Sequence, residues 1–477
     1  MFHDCAVKRF TLALLWLAAS IAHAEPLDLT ACVRLALAHN PDLEDAIDSS
    51  VSAVLGREVP LAEYNLKIVP SVSGGFQGGN NANQRYEMQL SRKLLPIGTE
   101  IGLSGGTSVF SSVPQVSVPY FTESRLTLSQ PLWQGRSRLE NSDRIDDADR
   151  RVAAAKNALR GAREDLILQV VRGFYEVVRA EELVRVAGAA LSRVNELEQV
   201  AGAKLALGTV SKMDVFRTQL HAARLKNAVV EQQARREAAL DTLKGILGLG
   251  AEVPLAVDAR SGGAFGDLEP LPSQGAEEAV DAALERRVEL LEAKEQVADA
   301  ERKALLAHYK VWPAINLVGS YAKQALGNSF EESSRLRRTE WLVGLSSTTP
   351  LDRTEEQVAA SQAEITLRGR ERRYRALRDQ ITRQVRDAWR QLERARAERT
   401  LAAEIVAQAE KQAELARFRY DKGVTDNFDL VQAETDLAEA HSGSALAAIE
   451  QLLAAAQVRR AAATLGEAFG IADEPGS

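Results

Sequence analysis

"RYDKGVTDNFDLVQAETDL" (Arg419–Leu437) interrupts one of the longest helical patterns in this chain. Gly423 costs a helix interior about 1 kcal/mol relative to Ala and can take the positive φ that a reversal needs. Asp426 and Asp429 follow at once. Carboxylates at the start of a helix accept from its free N–H groups and face its positive end. The stretch therefore reads as a helix end, a tight turn and a new helix start, which makes a helical hairpin. The same device stands earlier in "KLALGTVSKMDVFRTQL" (Lys204–Leu220), with Gly208 as the breaker and Ser211-x-x-Asp214 as the restart.

The hairpin is one of four landmarks that recur in the same order. "LDLTACVRLALAHNPDLEDA" from Leu27 parallels "GAEEAVDAALERRVELLEA" from Gly275. "YNLKIVPSVSGGF" from Tyr64 parallels "HYKVWPAINLVGSY" from His308, and "LTLSQPLWQG" from Leu126 parallels "VGLSSTTPLDRT" from Val343. Such self-similarity marks a tandem duplication. The first repeat spans residues 25–249 and the second 276–469, with a short tail at 470–477. Residues 250–275, rich in Gly and Pro, read as the linker.

Each repeat follows one grammar. Short and medium helices (about 29–39 and 42–67 in the first) lead to a strand-like region between two prolines. Pro70 and Pro131 bound it in the first repeat, Pro313 and Pro350 in the second, since proline ends ladders and helices alike. A helical hairpin follows, over about 136–248 and 354–467. The outgoing helix of the first hairpin would be roughly 100 Å long at 1.5 Å per residue. The shorter return helix and the medium helix, end to end, would match it. Narrow Ala-rich seams alternate with charged faces, as in helices packed side by side with water on both walls. The basic run "LRGRERRYRALRDQ" from Leu367 reads as a solvated coil face.

Between the prolines the period changes to two. "RYEMQLS" alternates Tyr86, Met88 and Leu90; "ESRLTLSQ" alternates Leu126 and Leu128; "PAINLVGSY" carries Ile315 and Leu317. Alternation over about ten residues is the signature of a barrel strand with lipid on one side and water on the other. A soluble hairpin carries it too, so the strands alone leave both open. Too few strands are present to close a barrel within one chain, so a membrane barrel would be shared among copies. Sixty-one positions separate Pro70 from Pro131, against thirty-seven between Pro313 and Pro350. The surplus holds "MQLSRKLLPIGTEIGLSGG" and reads as an extra hairpin, in the barrel or outside it, with additional strands favoured.

The remaining features narrow the class. Lys8-Arg9, the apolar core Phe10–Ser20 and Ala22-His23-Ala24 read as a signal peptide over residues 1–24. Cys5 would leave with it, and Cys32 would stand alone; no cysteine follows the cleavage site to carry a lipid. No later segment has the run of about 18 apolar residues that a membrane helix needs. The net charge of −7 gives no footprint for nucleic acid. No phosphate-binding or H-E-x-x-H motif stands in the chain, and its six histidines are scattered, so no catalytic residue, cofactor or metal is expected.

The doubled layout, "LALAHNPDL", "LSQPLWQG" and the paired elements Gly208–Asp214 and Gly423–Asp429 resemble the TolC family of outer-membrane efflux and secretion channels over nearly the whole mature chain. The resemblance implies an α+β membrane protein. Coiled-coil hairpins would form a periplasmic α-barrel, and strands would join a trimeric barrel in outer-membrane lipid. The homotrimer would pass cargo without chemistry, docked to a periplasmic adaptor and a proton-driven (RND) or ATP-driven (ABC) inner-membrane pump, in efflux or type I secretion. The hairpin turns would line the periplasmic entrance. There the family places an acid at Asp429, a second acid where this chain has Gln432, and a tip-locking arginine where it has Thr425. The partner acid of that arginine corresponds to Asp214. This mouth would carry half the usual charge, with Asp426, Lys422 or packing left to close it. A periplasmic adaptor is the alternative, but it would need a lipoyl-like β domain between its helices and no duplication. A coiled-coil scaffold would lack the proline-bounded strands.

Overall fold

The computed structural model describes residues 26–77, 81–111, 120–207, 210–258, 275–422, 424 and 427–470. The signal segment, most of the linker, the tail and the turn residues Gly208, Gly423, Thr425 and Asp426 lie outside them. The described chain falls into two compact units. One comprises residues through Ile47, Ala158–Leu291 and the chain from Leu377 onward; the other comprises Asp48–Asn157 and Glu292–Ala376.

Asp48–Asn157 and Glu292–Ala376 hold the whole sheet. Its strands are β1 (Lys67–Gln77), β2 (Asn81–Lys93), β3 (Glu100–Ser111), β4 (Tyr120–Pro131), β5 (Ile315–Gly327) and β6 (Arg338–Ser347). They pair in the order β1-β2-β3-β4-β5-β6, each antiparallel to the next. The first repeat thus supplies four strands and the second two, and the surplus hairpin is β2–β3, inside the sheet. Pro131 ends β4, while Pro313 precedes β5 and Pro350 follows β6. Pro70 departs from the expected junction. The strand starts at Lys67, and Pro70 lies within it, opposite Met88. An edge strand tolerates proline because half of its backbone groups face away from the sheet.

The helices are α1 (Leu29–His39), α2 (Pro41–Ala62), α3 (Arg138–Ala206), α4 (Lys212–Ile246), α5 (Ala276–Arg286), α6 (Val288–Lys310), α7 (Phe330–Ser333), α8 (Thr354–Asp421), α9 (Asn427–Ala461) and α10 (Leu465–Ala468). The medium helix α2 stops at Ala62, short of the expected 67. α3 and α8 run 69 and 68 residues, on compositions rich in the strong helix formers Ala, Leu, Glu, Arg and Gln. A capping pair starts α3: Leu139 N donates to Ser137 Oγ at 3.2 Å, and Glu140 accepts from Ser137 N at 3.2 Å. Beside the sheet, Arg302 on α6 donates to Asp143 and, at 3.0 Å, to Asp147 and Asp299.

The other unit carries the main apolar core. Leu29, Cys32, Val33 and Ala36 of α1 pack with Ile167, Val170, Val171, Phe174 and Tyr175 of α3, Leu243 of α4, and Leu452 and Ala456 of α9. Phe174 and Tyr175 meet edge to face at 5.5 Å. The end of α4 fits closely on the α1–α2 corner. Asn40 Nδ2 donates to Ile246 O at 2.9 Å, and a Cβ on Gly248 would lie 2.1 Å from His39 O. Farther along α8 and α9 the seams narrow to alanines, with Ala409, Ala413, Ala433, Leu437 and Ala440 in one cluster. Among the described residues, no helix is long and apolar enough to cross a membrane.

Candidate functional site

Two features carry functional geometry: the two faces of the sheet and the ends of the helical hairpins.

Strand register sorts the sheet into one apolar and one polar face. Ile68, Leu90, Leu103, Leu126, Tyr321 and Trp341 stand side by side, one from each strand. Tyr86, Met88, Ile101, Leu128, Val343 and Leu345 share that face by the two-residue period. All but the half-buried Leu90 are exposed, Trp341 by 76% and Leu345 by 70%. Three positions along each strand, on the opposite face, the row reads Ser71, Glu87, Gly106, Glu123, Gln324 and Arg338. Arg85 donates to Ser108 at 3.1 Å and Arg125 donates to Glu123 on this polar face. The polar face carries scattered apolar side chains, Val69, Leu326 and Leu342 among them, but no unbroken row. A continuous apolar row on one face and a mainly polar face behind it is the pattern of a sheet that meets lipid on one side and water on the other.

The β2–β3 turn is tied to the sheet's helical end. Gly98 N donates to Leu94 O at 2.8 Å, Thr99 Oγ1 donates to Gln130 Oε1, and Gln130 Nε2 donates to Ile97 O at 3.1 Å. Gly98 sits at φ +66, and a Cβ there would come 2.2 Å from Gly135 O. Only glycine admits this approach.

Of the residues expected at the hairpin ends, the structure describes Asp214, Asp429 and Gln432. Asp214 completes a capping box. Its N–H donates to Ser211 Oγ at 3.2 Å, and its Oδ2 accepts from Ser211 N at 3.0 Å. The carboxylate is 18% exposed, with Arg217 at 4.0 Å. Asp429 lies exposed in the first turn of α9, where the helix's positive end favours an acid. Gln432 donates to Asp436 Oδ1 at 2.8 Å, one turn on. Large apolar side chains crowd these ends and remain in the open: Leu207 80%, Met213 59%, Phe216 62%, Val424 75% and Phe428 55%.

Two contacts here escape sequence reading. Lys204 Nζ donates to Tyr420 O at 3.0 Å and rests 3.8 Å from the Tyr420 ring centroid, a cation–π contact. The Tyr420 ring is buried with Leu197 and Leu430. Burial, then the charges of Asp214 and Asp421, raise its phenol pKa above the ordinary value. The second contact centres on Glu434, only 6% exposed, which accepts from Arg193 Nε of α3 at 2.8 Å and from Arg417 of α8. One buried carboxylate thus ties three helices. A faint sequence signal exists: Glu434 falls between Leu430 and Leu437 at helical spacing, a charge on an apolar stripe.

Known proteins share this architecture. Residues 279–464 match the family model for outer membrane efflux proteins. The cobalt-zinc-cadmium resistance protein CzcC of Cupriavidus metallidurans is 25% identical over 335 residues, covering 69% of this chain and 74% of that protein. The solved structure of CusC superimposes with a TM-score of 0.69 at 14% identity, covering 93% of this chain and 95% of that one. VceC of Vibrio cholerae superimposes with a TM-score of 0.67 at 17% identity, covering 93% and 96%.

Proposed function

We infer that this chain belongs to the outer membrane efflux protein family and is the exit duct of a multi-part export assembly. Proteins of this family and fold are channels of the outer membrane, not enzymes. The finer reading is ours: three copies build one channel, their sheets forming a barrel in lipid and their helical hairpins a tunnel in the periplasm. An adaptor docks at the hairpin ends and brings cargo from an RND or ABC pump in the inner membrane.

The observation that carries this reading is the two-faced sheet. Its strands of 10–13 residues are long enough to cross a bilayer when tilted. Its apolar row is unbroken from Ile68 to Trp341. An adaptor offers no such surface to lipid. The exposed Leu207, Met213, Phe216, Val424 and Phe428 support docking at the hairpin ends, because apolar side chains left open there invite a partner. Asp429 supports a cation-favouring entrance, since three copies around a narrow lumen would set a negative field. Divalent metal ions are the cargo to test first, because CzcC is named for resistance to cobalt, zinc and cadmium.

Membrane fractionation, migration on gels before and after boiling, and planar-bilayer recording test the reading together. A heat-modifiable outer-membrane trimer that conducts is expected. A soluble monomer without conductance refutes it. Loss of the gene should lower metal tolerance; unchanged tolerance would remove metals as cargo and leave the channel standing.

A further inference from the structure

The sheet ends in two unpaired edges. Among the described residues, β1 shows no ladder beyond β2, and β6 none beyond β5. In a bilayer, unpaired backbone N–H and C=O groups cost several kcal/mol each, so an open sheet cannot stand in lipid alone. The edges match each other. β1 has 11 residues and β6 has 10, and with five antiparallel steps between them they run in opposite directions. The apolar row ends at Ile68 on one edge and Trp341 on the other, 57% and 76% exposed. A second copy of this chain therefore fits: β6 of one copy pairs antiparallel with β1 of the next, and the row continues across the joint. Pro70 withdraws one N–H from the β1 ladder and leaves the rest.

Resting on the three-copy reading above, we propose that the channel closes as an eighteen-stranded ring, six strands per copy, with β2 and β3 in its wall. Both central strands obey the wall's alternation. Met88, Leu90, Ile101 and Leu103 lie on the apolar face, and Gln89 and Ser104 on the polar one. Their turn is fixed at the helical end by Gly98, Thr99 and Gln130, as the inner turn of a wall hairpin requires. Barrel diameter grows roughly linearly with strand number. The exit is therefore about one and a half times as wide as the same ring without the β2–β3 hairpin.

The test uses the full-length chain, reconstituted in vesicles and labelled at single cysteines with a small fluorophore. The native Cys32 is fully buried and stays silent. Met88→Cys and Leu103→Cys probe the apolar face of the added strands, and Gln89→Cys and Ser104→Cys the polar face. Leu126→Cys and Arg125→Cys do the same for β4. Nitroxide lipid should quench positions 88, 103 and 126 several-fold more than 89, 104 and 125, and aqueous iodide should do the reverse. Native mass spectrometry should count three copies. An Ile68→Cys/Trp341→Cys chain, whose two cysteines face each other across the joint when the row continues, should give products up to the trimer with a short bismaleimide. Alternation on β4 without alternation on β2 and β3 overturns the enlarged ring and leaves the channel reading intact. Loss of alternation on every strand sinks the channel reading itself. Two copies instead of three, or no crosslink between copies, overturns the eighteen-stranded closure.

Discussion

The Glu434 junction gives the sharpest energetic prediction. Replacing Glu434 by Gln keeps the shape and one acceptor oxygen but removes the charge. Arg193, 26% exposed, then holds a neutral hydrogen bond in place of a charge-assisted one. That exchange costs about 1.5 kcal/mol. Arg417 is 54% exposed, and its solvent-screened pair with Glu434 adds about 0.5 kcal/mol. A total near 2 kcal/mol corresponds to a roughly thirtyfold rise in local opening, at 1.36 kcal/mol per tenfold. Three helices meet at this carboxylate, so the opening should appear in all of them. Hydrogen exchange in detergent is the assay. Slow amides around 193–200 in α3, 410–420 in α8 and 430–437 in α9 should exchange faster by about that factor. Amides of 166–178, in the main core, should not change. Unaltered exchange near Glu434, or a uniform rise that includes the core, would refute the argument that this carboxylate holds the helices together locally.

Three further perturbations follow. Gly98→Ala forces a Cβ into left-handed backbone and against Gly135 O; together these cost about 2–4 kcal/mol. The fraction reaching the heat-modifiable form should drop on refolding, while Gly161→Ala, with open space around its Cβ, should not lower it. Asp429→Ala should reduce cation-over-anion permeability in bilayer recordings about fivefold, the effect of ~1 kcal/mol from one charge ~4 Å away in water. Unchanged selectivity would remove Asp429 from the entrance. Burial, then the nearby Asp28, push the Cys32 thiol from 9.0 up to about 12, so it should resist iodoacetamide at pH 8 until the chain unfolds. The stability that this neutral thiol contributes is complete below pH 9 and is lost as pH climbs towards 12, which alkaline denaturation can follow.

The sequence by itself determined a great deal here because the fold is built from long periodic elements. A 68-residue helix repeats its seam many times, so α3 and α8 stand out, and the glycine breaks locate their ends. Duplication doubled every signal. The surplus between Pro70 and Pro131 announced an extra hairpin, since its length and its own alternation are local properties. Boundaries were less legible. Pro70 looks like a strand opener in sequence, yet β1 begins at Lys67, because only pairing with β2 shows that an edge strand can hold the proline.

What only the tertiary structure decided is long-range. Whether β2–β3 lies in the sheet or outside it depends on its pairing to β1 and β4 and on the contact between Gly98 and Gly135 O, separated by 37 positions of chain. The Arg193–Glu434–Arg417 junction spans three helices, with 241 positions between Arg193 and Glu434. Period and turn chemistry are carried by neighbours in the chain, so a sequence displays them. Register between strands and the partner of a buried charge are set by which surfaces meet, and those exist only once the chain has folded.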